Sequence, residues 1–161
     1  MIKVYDTRLN PGDFAEQFVN LPYKCTRSDL PMTPDNPNAD LAGMYWTHQL
    51  HNFCPVEDPT YFQNAGLEAS DNPLWEDILT YLEGTIREMP PRSECYGAYI
   101  NVLRFGNSTS IHCDAPYFVK DNKTVIVYLN PAWDPEWGGE TVFFDGDLDA
   151  KYIVQPRPGR V

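Results

Sequence analysis

The chain changes its repeat at Pro90-Pro91, and that change limits what it can fold into. Upstream, Leu74, Ile78, Leu82 and Ile86 recur every fourth residue, with Trp75 and Leu79 beside them. Residues 74–89 therefore carry one apolar stripe and are expected to form a helix that packs against a sheet. The two prolines end it, because a proline has no N–H for the helical ladder. Downstream, residues 96–105, 124–129, 141–144 and 152–154 are short runs rich in aromatic and β-branched side chains, which favour a pleated strand. Gly106-Asn107-Ser108, Asn130-Pro131, Gly138-Gly139, Asp145-Gly146 and residues 156–159 supply turn chemistry between them. Helices first and strands after predict an α+β chain, with helices on one side of a β-sandwich or small barrel.

The remaining first half fits that picture. Asn10-Pro11-Gly12 is a start signal for a short helix over 13–19. Residues 31–59 are rich in Pro, Asn and Asp and are expected to form one long ordered loop, a length that is often functional. With 161 residues the chain is expected to be a single domain, 1–95 as helical and loop-rich support and 96–161 as the β core.

Charge and segment lengths exclude several functions. The chain has 23 acidic and 12 basic residues, a formal charge of −11, which repels phosphate backbones and anionic membranes. No nucleic-acid or membrane partner is expected. The longest aliphatic run, residues 125–129, is far too short for a bilayer, and the first residues lack an apolar signal core. Cys25, Cys54, Cys95 and Cys113 have no paired spacing, so they are expected to be reduced thiols of a cytoplasmic protein.

His112-Cys113-Asp114 is the sharpest chemical feature. In extended backbone, residues two apart point to the same side, so an imidazole and a carboxylate converge as a divalent metal requires. Two histidines and one carboxylate on one face, with open positions opposite, suit non-haem Fe(II). The tripeptide alone is weak, but its context is ordered. A strand and a glycine turn precede it. A strand ending Tyr128-Leu129-Asn130, then Trp133-Asp134, Trp137-Gly138-Gly139-Glu140-Thr141, an aromatic strand and Pro156-Arg157-Pro158-Gly159-Arg160-Val161 follow. In this order residues 96–161 resemble the Fe(II)- and 2-oxoglutarate-dependent oxygenases of the prolyl 4-hydroxylase-like branch.

The resemblance implies a double-stranded β-helix, or jelly roll, here incomplete at its C-terminal end. It implies His112 and Asp114 as catalytic metal ligands, and Tyr128 as a hydroxyl on the distal carboxylate of 2-oxoglutarate. Phe105 falls where some relatives carry a tyrosine, so that contact is missing or supplied elsewhere. Asn101 is expected at the cosubstrate pocket, and Trp46, His48 and Arg104 at the substrate. Gly138 and Gly139 are expected to bend tightly into the next strand, and Trp133 and Trp137 to pack their loop. The implied cofactor set is Fe(II), 2-oxoglutarate and O2, with ascorbate as an accessory reductant. The implied reaction hydroxylates a peptidyl, prolyl-like or small-molecule substrate and releases succinate and CO2.

Two parts of the family pattern are missing. No histidine follows His112 to complete the ligand set, and no Arg or Lys occupies the strand position that pairs with the distal carboxylate. The expectation is a C-terminally truncated chain, inactive by itself, whose parent gene encodes the oxygenase. A degenerate relative, or His48 or His51 as substitute ligand, are the other readings. The alternative class is a non-catalytic jelly-roll module that binds sugar or protein.

Overall fold

The computed structural model describes residues 1–22, 24–26, 45–52, 73–90, 97–103, 109, 111 and 123–161. A short 3-10 turn over Pro11–Phe14 leads into α1 (Ala15–Val19). Asn10 caps it as its residue type predicts: the side-chain oxygen accepts from Gly12 N–H at 3.2 Å. The expected helix at 13–19 is thus split, because the first turn tightens on the proline and the cap.

The described residues fall into two compact units. The unit of Glu16–Thr26 and Tyr45–Val102 holds β1 (Lys24–Thr26), β2 (Tyr45–Asn52), α2 (Pro73–Thr85) and β3 (Gly97–Val102). The strands form one antiparallel sheet in the order β1-β2-β3. The helix lies against β2. Its predicted stripe is its buried face: Leu74, Ile78, Leu79 and Leu82 are buried, and so is Ile86 just beyond it. Each such side chain contributes about 1.5–3 kcal/mol of burial. The helix stops at Thr85 rather than Met89. Ile86 still donates to Leu82 O at 2.8 Å, after which the chain tightens into a turn closed by Met89 N–H on Ile86 O. Gly84 and the β-branched Thr85 and Ile86 are poor helix formers, and Met89 precedes a proline.

Strand β2 corrects the sequence reading. Residues 45–52 lie within the expected long loop, yet they form the central strand of this sheet. Tyr45, Trp46 and Thr47 are good strand formers, and their signal was masked by the Pro, Asn and Asp on either side. The β2–β3 register shifts between Gln49 and His51, which leaves Leu50 as the extra residue of a bulge, and Leu50 is buried. Among the described residues β3 pairs with β2.

The other unit holds Met1–Ala15 and the described part of Leu103–Val161. Here β4 (Thr141–Phe144) and β5 (Ala150–Val154) make an antiparallel hairpin with Thr141 opposite Val154 and Val142 opposite Ile153. Beyond β5 the chain turns at Gly159, whose φ is 70°. A Cβ at this position would overlap the Leu9 carbonyl oxygen, so the close approach requires glycine. Residues 159–161 then run between two segments. On one side Tyr5 and Val161 exchange main-chain hydrogen bonds of 2.7 and 2.9 Å, and Thr7 Oγ1 donates to Gly159 O. On the other side Tyr128 N–H donates to Arg160 O and Gly159 N–H to Tyr128 O, both at 2.9 Å. Leu9, Val154, Pro156 and Gly159 are buried in this unit.

Residues 124–129 were expected to be a strand and are not one among the described residues. Tyr128 bonds the 157–160 turn as a single pair, and one pair does not make a ladder.

Candidate functional site

Tyr128 is the sequence-predicted site residue around which the described structure gathers most. It is half-buried, and its hydroxyl donates to Thr141 Oγ1 at 2.7 Å. Its main chain bonds Gly159 and Arg160 as above. Three stretches of the ordered pattern therefore meet here: the Tyr128-Leu129-Asn130 segment, the Gly-Gly-Glu-Thr bend and the Pro-Gly-Arg turn. Asn130 adds a tie, since its Nδ2 donates to Pro156 O at 2.8 Å and to Ala132 O at 2.9 Å. Burial pushes the Tyr128 phenol above its ordinary value. The Thr141 hydrogen bond and the positive charge of Arg160 offset part of that rise.

The bend itself has the geometry expected of two glycines, with φ of 66° at Gly138 and 88° at Gly139. Asp134 caps the 3-10 turn Pro135–Trp137 by accepting from Glu136 N–H at 2.9 Å. The Trp133 indole closes the loop by donating to Gly138 O at 2.8 Å, whereas the Trp137 side chain is largely exposed.

Three cations of this unit are engaged by protein groups. Arg160 grips Asp6 with both carboxylate oxygens, Nε to Oδ1 at 2.6 Å and Nη2 to Oδ2 at 3.0 Å. Its Nη1 donates to Gln155 O. The guanidinium holds the Asp6 carboxyl below the usual carboxylate range. Arg157 donates to Gln155 Oε1, and Lys151 lies 2.9 Å from Asp145 Oδ2.

Three other predicted residues belong to the three-stranded sheet. Trp46, His48 and Asn101 sit on adjacent strands, with Trp46 opposite Val102, Thr47 opposite Asn101 and His48 opposite Ile100. Strand alternation puts His48 on one face and Asn101 on the other, so these two cannot line a single pocket. His48 and His51, expected in a loop, are strand residues. His48 Nδ1 lies 3.3 Å from Pro22 O.

His112, Asp114 and Arg104 lie outside the described residues, as do Phe105 and Cys113. Among the described residues no group of three His, Cys, Asp or Glu side chains could hold a metal ion, and no helix is long and apolar enough to cross a membrane. In the sequence Thr141 reads only as a strand residue, and Asp6 carries no signal. The hydroxyl pair and the Asp6 grip join positions far apart in the chain, and neither leaves a local spacing to detect. Comparison with protein-family models, with curated proteins and with solved structures finds no match to this chain.

Proposed function

We propose that the protein belongs to the Fe(II)- and 2-oxoglutarate-dependent oxygenases, with a peptidyl or small-molecule substrate. The observation that carries this reading is the convergence on Tyr128 of three pattern segments lying 13 to 32 residues away from it or containing it: Thr141 by its hydroxyl, and Gly159 and Arg160 by their main chain. A pattern that arose by chance has no reason to meet at one residue.

The donors His112 and Asp114 suit Fe(II) in kind, an imidazole and a carboxylate. They are one short of the three protein ligands that the facial arrangement uses. When bound, the metal would supply the activation of dioxygen. For a carboxylate, the described residues would offer one hydroxyl donor. Tyr128 donates to Thr141, which leaves the Thr141 proton to donate onward to a carboxylate. The Arg160 charge lies close enough to favour negative charge at the Tyr128 hydroxyl.

Calorimetric titration of 2-oxoglutarate under anaerobic conditions, with and without Fe(II), tests the reading. Binding that depends on the metal, disappears in Asp114→Ala and weakens in Tyr128→Phe is expected. Binding that ignores both the metal and Asp114→Ala would overturn it and favour the non-catalytic module.

A further inference from the structure

Asp145-Gly146 is the one place in the sequence where an Asp or Asn precedes a glycine. Glycine puts no side chain beside its own amide, so this is where a carboxyl carbon most readily meets the next residue's nitrogen. The reaction is an internal acyl transfer. Gly146 N bonds to Asp145 Cγ, the carboxyl loses one oxygen as water together with the amide proton, and a five-membered imide forms. Water then adds to one imide carbonyl. Opening on the α side leaves the chain running through the β-carboxyl, as isoaspartate. One water leaves and one returns, and no oxidant or reductant takes part.

The β4–β5 turn holds that carboxylate away from this path. Oδ1 accepts from Asp147 N–H and from Asp149 N–H, each at 3.0 Å. Oδ2 lies 2.9 Å from Lys151 Nζ, which is also 4.0 Å from Asp149 Oδ2. The main chain closes the same turn, with Asp145 N–H on Asp149 O at 3.0 Å and Leu148 N–H on Asp145 O at 3.1 Å. Attack by Gly146 needs a neutral carboxyl, so that its oxygen can leave as water, and a carboxyl free to rotate. The lysine holds the carboxyl below its ordinary value and so shrinks the small protonated fraction that can react, and the two amides fix its plane.

We propose that Asp145-Gly146 is an isoaspartate-forming site that Lys151 and the two turn amides hold closed while the hairpin is folded. Opening it would insert a methylene into the main chain next to the register shift between Phe143 and Phe144. The pairing of β4 with β5 would then be lost from the turn end. This inference is independent of the oxygenase reading.

The test incubates the full chain at neutral pH and physiological temperature and quantifies isoaspartate at position 145 by peptide mapping. Folded wild type is expected to form it several-fold more slowly than the same chain in urea. Lys151→Ala, checked for native circular dichroism, should rise part of the way toward the urea rate, and Lys151→Arg should stay at the wild-type rate. Salt gives a second measurement without a mutation. Because Lys151 is half-exposed, high salt should screen the pair and raise the folded rate but not the urea rate. Equal rates for folded and unfolded wild type, or Lys151→Ala and high salt both leaving the folded rate unchanged, would overturn the proposal.

Discussion

The phenol of Tyr128 donates to the hydroxyl of Thr141 across 2.7 Å, and the main chain of the same tyrosine is bonded to Gly159 and Arg160. One residue, by its side chain and its main chain, thereby ties the segment before the Trp133 loop to the start of β4 and to the turn after β5.

Removing that hydroxyl has a pH signature. Tyr128→Phe is expected to cost about 1 kcal/mol in urea unfolding near neutral pH. Burial raises the phenol above its ordinary 10.0. The folded state therefore keeps its proton where the unfolded chain releases it. The stabilisation is full below the unfolded value and is lost as pH rises through the folded one. The stability difference between wild type and Tyr128→Phe should shrink above about pH 10. A difference that grows there would contradict the burial assigned to the phenol.

Gly159 should tolerate no side chain. Gly159→Ala meets the Leu9 carbonyl oxygen and a left-handed backbone at once. Adding the left-handed penalty to the cost of overpacking predicts a loss of about 2–5 kcal/mol. Gly146→Ala, with open space around it, is the comparison and should cost far less. Equilibrium denaturation of both variants checks the contrast.

Leu148 is the one described non-glycine residue with positive φ, 64°, and it is exposed. Asn accepts this conformation more readily than Leu. Leu148→Asn is expected to raise stability by up to about 1 kcal/mol, read as a higher denaturant midpoint with an unchanged slope.

The helical unit depends on the stripe of α2. Leu79 is 1% exposed, and Leu79→Ala should cost about 2–5 kcal/mol. Asp77, exposed on the same helix, gives the control: Asp77→Ala should change stability by less than about 0.5 kcal/mol. Similar losses for the two would contradict the assignment of the buried face.

Local patterns were legible and long-range ones were not. The stripe from Leu74 to Ile86 marked α2, because helical period and a following proline pair are properties of neighbouring residues. The Gly138-Gly139 bend and the strands β4 and β5 were legible for the same reason. β2 escaped because the composition around residues 45–52 speaks for a loop, while its strand formers number only three. The clasp of residues 5–9 on the 157–161 turn escaped for another reason. Thr7 and Gly159 are 152 positions apart, and a contact at that separation imposes no spacing that a local reading can detect. At the candidate site Tyr128 was singled out while its partner Thr141 was not. Asn101 and His48 were assigned to pockets without the register that puts them on opposite faces of a sheet.

The most direct test of the oxygenase reading is the visible absorption of the anaerobic protein with Fe(II) and 2-oxoglutarate. A 2-oxo acid chelated to protein-bound Fe(II) gives a charge-transfer band that neither component gives alone. The account predicts a weak band in the wild type, which carries two of the three ligands, with no band in Asp114→Ala and a higher 2-oxoglutarate requirement in Tyr128→Phe. A wild-type spectrum identical to that of Asp114→Ala would contradict it.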